Sequence, residues 1–238
     1  ALIDNGITPT SVPSIASTVR ANPSAGFSII KFSSTGSNGT VGHGLNAQPY
    51  WFWVKRRNSD SFHVYHHELG PEEFLRLDNR DSRDDRDTTF QDTRPDSSVI
   101  YLGDDGGVNP SSTQDVMIYA WAPVENFSKF GSYIGNGVAD GPFVYTGFSP
   151  KFIIFKNADS TDEWMMYDVE RQSYNPNSLA LEPSEPDDQN LSGFDLDILS
   201  NGFKVRNGNV RINGSTSVNN TILYMAFAEQ PFKTARAR

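Results

Sequence analysis

The amino-acid sequence predicts an all-β protein made of two tandem homologous β-sandwich modules, of jelly-roll or lectin-like type, with an extended N-terminal arm. Three observations predict this class: an internal repeat, turn residues between short apolar runs, and the lack of helical periodicity. The chain has 238 residues, of which 37% are hydrophobic, and this is enough to bury one large core or two small ones.

The internal repeat is clearest in one strand-like motif. Residues 49–55 (PYWFWVK) return as residues 150–156 (PKFIIFK), a shift of 101 positions. Further correspondences follow in the same order: residues 41–45 with 144–148, 108–109 with 212–213, and 120–122 with 226–228. Copies of roughly a hundred residues match single β-sandwiches and are too long for solenoid units.

The repeat divides the chain into four segments. We expect a linker or extended arm at residues 1–25, a first module at 26–126, a second module at 127–233 and a basic tail at 234–238. The arm, rich in Pro, Ser, Thr and Ala, can lie against a neighbour or tether the modules to a preceding domain. The chain begins at Ala1 without Met, which indicates a trimmed protein or a fragment of a longer one.

Strands are predicted wherever aromatic and β-branched runs lie between turn residues. In the first module they are residues 27–32, 50–56, 63–66, 74–77, 99–102 and 116–122. In the second they are residues 130–134, 152–156, 165–167, 179–181, 202–206 and 221–228. Residues 50–54 and 152–155 are apolar at consecutive positions, which predicts strands covered on both faces, deep in the structure or at a subunit interface. Residues 71–76 could form one helical turn at most.

Composition excludes several classes of function. The net charge of −9 argues against nucleic-acid binding, which needs clustered Lys and Arg. The chain contains no cysteine, so neither a disulfide framework nor a thiolate metal site can form. No apolar stretch approaches the length of a membrane span, and the N-terminus lacks a signal-peptide pattern, so we expect no membrane insertion.

Several motifs resemble a repeated domain of uncharacterised function in tail-fibre-like proteins of tailed bacteriophages, marine short-tailed phages among them. The resemblance covers roughly residues 13–233. It is carried by residues 13–30 (PSIASTVRANPSAGFSII), 39–45 (GTVGHGL), 130–137 (FGSYIGNG), 140–148 (DGPFVYTGF), 199–204 (LSNGFK) and 226–233 (AFAEQPFK).

The resemblance implies a virion location and a role in adhesion or assembly. It also implies a homo-oligomer, with a trimer favoured, that contacts other virion proteins and a host-surface glycan or receptor. No catalytic residue, metal site or cofactor follows from it. The function expected is a tail-fibre-like structural and adhesion protein; the alternative is a capsid-decorating or tail-assembly protein that binds another virion protein.

Metal binding has two candidate regions, both of which have another interpretation. The loop at residues 78–87 (DNRDSRDDRD) could offer carboxylates to Ca²⁺, but its arginines compete, and local ion pairing explains it better. His63, His66 and His67 cannot converge from one strand, although a trimer axis could gather three copies of one histidine. We expect these histidines to lie on the surface or in loops.

Glycan binding is predicted at the strand ends, because sugars stack on aromatic faces beside polar groups. The candidate residues are Tyr65, His66, Trp164 and Tyr167, with packing in the core as the competing interpretation for Trp164 and Tyr65. Presented loops at residues 79–87 and 184–190 would contribute. A glycan-cleaving enzyme is the weaker alternative: Glu163 and Asp168 are its best placed carboxylates, and we expect no enzymatic activity.

Overall fold

The computed structural model describes residues 12–58, 62–183 and 193–229. Within these ranges the protein is all-β, with antiparallel sheets and two one-turn helices, α1 (Asp87–Phe90) and α2 (Val210–Asn213). No helix of the described residues is long and apolar enough to span a membrane. The expected all-β class is confirmed, and no helix forms at residues 71–76.

The N-terminal half comprises strands that pair only with one another among the described residues. They are β1 (Ser17–Asn22), β2 (Phe27–Ser33), β3 (Gly39–Gly42), β4 (Trp51–Arg56), β5 (Phe62–His66), β6 (Glu73–Arg76), β7 (Asp84–Asp85), β8 (Val99–Leu102) and β9 (Asp115–Trp121). The N-terminal large sheet has the order β1-β2-β9-β4-β5-β6-β7, and β3 pairs with β8 in the N-terminal small sheet.

The C-terminal half repeats this division into a large and a small sheet. Its strands are β10 (Ser128–Ile134), β11 (Phe143–Tyr145), β12 (Pro150–Asn157), β13 (Met165–Asp168), β14 (Leu196–Leu199), β15 (Gly202–Val205) and β16 (Thr221–Ala228). The C-terminal large sheet has the order β10-β16-β12-β13, and the C-terminal small sheet the order β11-β15-β14. Each half is therefore sandwich-like.

Strand registers in the two halves correspond. Phe27 pairs with Trp121 as Ser128 pairs with Phe227, and Trp51 pairs with Trp121 as Phe152 pairs with Phe227. Ser128 and Phe152 follow their equivalents Phe27 and Trp51 by 101 positions, and Phe227 follows Trp121 by 106. The sequence repeat shows the same two shifts.

A buried asparagine occupies the same turn in each half. The Asn109 side chain accepts from the Thr35 N–H at 2.7 Å and donates to the Ser37 carbonyl at 2.8 Å. The Asn213 side chain accepts from the Asn136 N–H at 3.0 Å and donates to the Val138 carbonyl at 2.8 Å. Both asparagines are fully buried, so each satisfies main-chain groups that water cannot reach.

Apolar side chains fill three layers between the four sheets. One core lies between the sheets of the N-terminal half and includes Phe52 and Ile100, and the C-terminal half has its own core. A third cluster joins the outer faces of the two large sheets and includes Trp51, Ile154 and Leu223. Burying each such side chain contributes about 1.5–3 kcal/mol, so this third cluster fixes the two halves against each other.

The third cluster explains the consecutive apolar residues of the two central strands. Phe52 and Val54 face the N-terminal core, whereas Trp51 faces the C-terminal half. In β12, Phe155 faces its own core and Ile154 faces the N-terminal half. The prediction of strands covered on both faces is confirmed, and because the cover comes from the same chain, these strands give no argument for an oligomer.

Part of the expected linker or extended arm at residues 1–25 is a strand in the structure. Ser17–Asn22 forms β1, the edge strand of the N-terminal large sheet, and a 3₁₀ turn follows at Pro23–Ala25. Its side chains are mostly exposed, so β1 has no apolar pattern and is stabilised by its pairing with β2. Residues 1–11 and the expected tail at 234–238 lie outside the described residues.

Most predicted strands are present within a few residues of their expected bounds. The exception is the segment at residues 179–181, where Leu181 makes only an isolated bridge with Met166. The sequence prediction missed the short or exposed strands β1, β3, β7, β11 and β14.

Candidate functional site

The two tyrosines proposed as glycan ligands are core residues. Tyr65 stacks on Phe52 with ring centroids 4.6 Å apart, and Tyr167 holds the equivalent position in the C-terminal half. The Tyr167 hydroxyl donates to the Phe194 carbonyl at 2.5 Å. Both rings are fully buried, and burial raises the pKa of each hydroxyl, so neither ring is open to a sugar.

His66 and Trp164 belong to the contact between the halves. Each packs against Trp51, with ring centroids 4.9 Å and 6.0 Å away respectively, and both are fully buried. The Trp164 Nε1–H donates to the Arg76 carbonyl at 2.7 Å, across the contact. The predicted glycan site at Tyr65, His66, Trp164 and Tyr167 is therefore wrong: the packing interpretation applies to all four residues.

The expectation that the three histidines lie on the surface or in loops is wrong for His63 and His66, which are buried in β5, whereas His67 lies in the turn after β5. His63 is buried and stacks on Phe74, and its Nε2 lies 3.8 Å from an Asp105 carboxylate oxygen. His67 stacks on Tyr50 with ring centroids 3.9 Å apart. Among the described residues, no cluster of His, Asp and Glu is arranged to hold a metal ion.

The charged loop at residues 78–87 forms ion pairs, as the simpler interpretation predicted. Arg76 lies 3.3 Å from Asp81, and Arg86 lies 2.7 Å from Asp84. Arg83 reaches across to the C-terminal half and contacts Asp159 at 2.8 Å. The loop therefore packs against the body of the protein. The companion loop at residues 184–190 lies outside the described residues.

The carboxylates considered for sugar hydrolysis have structural partners. Glu163 is buried, with Arg211 Nε at 2.7 Å and Arg80 Nη1 at 3.2 Å. Burial alone would raise the pKa of Glu163, but hydrogen bonds and the two guanidinium groups hold it below its usual value. A general acid for glycoside cleavage needs a raised pKa, whereas the pKa of Glu163 is lowered. The Asp168 side chain accepts from the Glu170 N–H at 3.1 Å.

Sequence reasoning missed a buried lysine at the contact between the halves. The fully buried Lys156 ammonium lies within hydrogen-bond distance of four carbonyl oxygens, those of Arg80, Asn157, Ser160 and Asp162, at 2.8–3.2 Å. Burial lowers the pKa of Lys156 to about 8, and nearby carboxylates oppose part of this shift. Lys156 ties the loop after β12 to the charged loop, and its donors are saturated, so its role is structural. Its position directly after the apolar run at residues 152–155 was the available signal.

The best candidate for a binding site is the Tyr174 depression, a shallow concavity of about 210 Å³ on the C-terminal half. Its lining includes Ser149, Lys151, Gln172, Ser173, Asn175 and Ile198. Two of these, Ser173 and Asn175, flank Tyr174, whose side chain is 71% exposed. This volume is below the range of about 300–1,000 Å³ typical of drug-sized ligands, and it suits a single small polar unit.

Hydrogen bonds hold the wall of the Tyr174 depression in place. The Asn175 side chain bonds both main-chain groups of Ile198, each at 2.9 Å. The Gln172 side-chain oxygen accepts from the Ser178 N–H at 2.9 Å, and Lys151 Nζ lies 2.7 Å from Glu170. The segment that carries Tyr174 is therefore anchored on both sides.

Comparison with known proteins places the chain in a family. The family profile described as a domain of unknown function (DUF7483) matches residues 5–231. Because the match spans nearly all of the sequence, the chain belongs to this family. No curated protein and no solved structure matches it.

Proposed function

We propose that this member of the DUF7483 family is a tail-fibre-like structural and adhesion protein of a bacteriophage particle, which recognises a glycan on the host surface. The virion location is supported by the resemblance of residues 13–233 to tail-fibre-like proteins. Residues 26–126 and 127–233 would be its two homologous modules, supported by the repeated registers and by the matched turns at Asn109 and Asn213.

The observation that carries glycan recognition is the exposed Tyr174, whose two neighbours in sequence, Ser173 and Asn175, line a polar concavity. Sugars present both apolar C–H faces and hydroxyl groups, so a ring for stacking and nearby polar side chains form a suitable pair. Ser149 and Ser173 offer hydroxyl groups, and Gln172 and Asn175 offer amide groups. Because the supporting side chains are already hydrogen-bonded, little ordering would be needed on binding.

Glycan binding can be tested with an array of bacterial surface glycans, followed by titration of any ligand found. Tyr174→Ala should weaken binding at least about 10-fold, equivalent to about 1.4 kcal/mol, as expected when a central aromatic contact is lost. The matched control is Tyr145→Ala, which removes another exposed tyrosine and should leave affinity unchanged.

Two results would contradict glycan recognition at this site: no binding to any host glycan, or equal affinity of the Tyr174→Ala variant and the unmodified protein. Binding to a purified virion protein in place of glycans would favour the capsid-decorating or tail-assembly function.

A further inference from the structure

We propose that the outer face of the N-terminal large sheet binds an acidic glycan, a chain of sugars that carry carboxylates. The part concerned is the Lys31 face, formed by the outward side chains Arg20, Ile29, Lys31, Met117 and Tyr119. It lies on the other half of the protein from the Tyr174 depression, and the two sites are independent of each other.

The Lys31 face points away from the N-terminal core. In β9 the buried side chains of Val116, Ile118 and Ala120 belong to that core. Met117 and Tyr119 alternate with them, so both point outward, and both are partly exposed. The alternation in β2 places the outward side chains of that strand beside these two.

The C-terminal half leaves this face open because its large sheet is narrower. The N-terminal large sheet has seven strands and the C-terminal one has four. The contact between the halves buries Trp51 on β4 and Val64 on β5. Ile29, Met117 and Tyr119 belong to none of the three apolar clusters of the described residues. An apolar sheet face without a cover is typical of a binding surface.

The Lys31 face changes from apolar to cationic along the strands. At the apolar end, Tyr119 pairs with Ile29 on one side and with Trp53 of β4 on the other. Four residues earlier in β9, about 14 Å away, Asp115 marks the cationic end together with Lys31. An oligosaccharide can span this distance, with the apolar face of one sugar on Tyr119 and a carboxylate of another beside Lys31.

Positive charge is in excess at the cationic end, although the whole chain has a net charge of −9. The Asp115 carboxylate is shared by two cations, with Lys31 Nζ at 2.9 Å and Arg57 Nη1 at 3.5 Å. The hydrogen bond from Lys31 holds the pKa of Asp115 below its usual value, so this carboxylate is ionised and cancels one positive charge. Arg20 adds a third cation. Three cations against one carboxylate leave two positive charges, which favours an anionic ligand.

A concavity of about 300 Å³ lies at the cationic end. Its lining includes Lys31, Asp115 and three hydroxyl residues, Ser17, Thr18 and Ser33. This volume is at the lower end of the range typical of ligand sites. Hydroxyl groups near a partly exposed aromatic ring favour a sugar over an acidic peptide, which has few hydroxyl groups and no apolar ring face.

Titration calorimetry with carboxylated sugar chains tests this site. The probes are oligogalacturonate, oligomannuronate and hyaluronan fragments, and the protein should bind at least one of them. A higher NaCl concentration should weaken this binding, because salt screens exposed charges.

Two double variants show whether the cations of the Lys31 face hold the ligand. Lys31→Gln combined with Arg57→Gln leaves Asp115 without these two cations and should weaken binding at least about 10-fold. The control is Lys204→Gln combined with Arg206→Gln, which removes two paired cations from the C-terminal small sheet. It has the same net charge as the first variant and should bind like the unmodified protein.

Tyr119→Ala should also weaken binding at least about 10-fold, because it removes the central aromatic contact. Tyr174→Ala should leave the affinity for these probes unchanged, so the Lys31 face and the Tyr174 depression are tested separately. Circular dichroism checks that each variant is folded.

Three results would overturn the proposal. The first is that none of the three carboxylated sugar chains binds, and the second is that the two double variants have equal affinities. The third is that poly-L-glutamate binds as tightly as the best sugar chain, which would assign the Lys31 face to an acidic protein segment.

Discussion

Lowering the pH from 7 to 5 should destabilise the protein, in part because His63 must be buried uncharged. Burial lowers the pKa of His63 from 6.5 to about 4, opposed by Asp105 and Asp78 and assisted by Arg76 and Arg86. The folded state therefore binds fewer protons than the unfolded state in this range. The resulting stability is fully present above pH 6.5 and is lost as the pH falls towards 4.

The expected magnitude follows from these two pKa values. The gap between 6.5 and about 4 corresponds to about 3.4 kcal/mol when the effect is complete, below pH 4. Between pH 7 and pH 5, His63 should account for a loss of about 2 kcal/mol in the free energy of unfolding. Burial also lowers the pKa values of His43, His66 and His67, so the total loss should be larger.

Urea unfolding at pH 7 and pH 5, followed by tryptophan fluorescence, measures this loss. The His63→Gln variant isolates the contribution of His63, because glutamine does not titrate. The variant is less stable at pH 7, but its loss between pH 7 and pH 5 should be smaller by about 2 kcal/mol than that of the unmodified protein. Equal losses in the two proteins would refute the assignment to His63.

Two further substitutions test the contacts that define the fold. Lys156→Met should lower the free energy of unfolding by at least about 3 kcal/mol in urea titrations, because buried carbonyl oxygens lose their donor. The control is Lys55→Met, at the equivalent position of β4, which should lower it by less than about 1 kcal/mol. Similar losses for the two variants would contradict the structural role of Lys156. Asn109→Ala and Asn213→Ala should each cost about 2–4 kcal/mol, since each leaves one N–H and at least one carbonyl without its partner. A large cost for only one of them would contradict the equivalence of the two turns.

Strands were predictable from sequence where apolar side chains are buried on at least one face. In β9 the buried side chains alternate strictly, and β16 and β12 carry long apolar runs. By contrast, β1 reads STVRAN and is mostly exposed, so only its pairing with β2 makes it a strand. A propensity pattern contains no information about a partner elsewhere in the chain, and such edge strands were missed.

The binding site could not be predicted in the same way. The sequence pattern around an aromatic strand residue, such as Tyr65 or Trp164, is the same whether the side chain is exposed to solvent or packed against another sheet. Tyr65 is buried in the core between the two sheets of its own half, and Trp164 is buried where the two large sheets pack together. The exposed Tyr174 lies in the polar loop SYNPNS, and a lone aromatic residue among Ser, Asn and Pro was a signal that pointed to it.

The most direct test of the account is competition for host cells by the purified protein. The unmodified protein should bind the bacterial host and block phage adsorption. Tyr174→Ala should need at least about 10-fold more protein for the same block, and Tyr145→Ala should act like the unmodified protein. Equal blocking by the unmodified protein and Tyr174→Ala, or no binding of the unmodified protein to host cells, would contradict recognition through the Tyr174 depression.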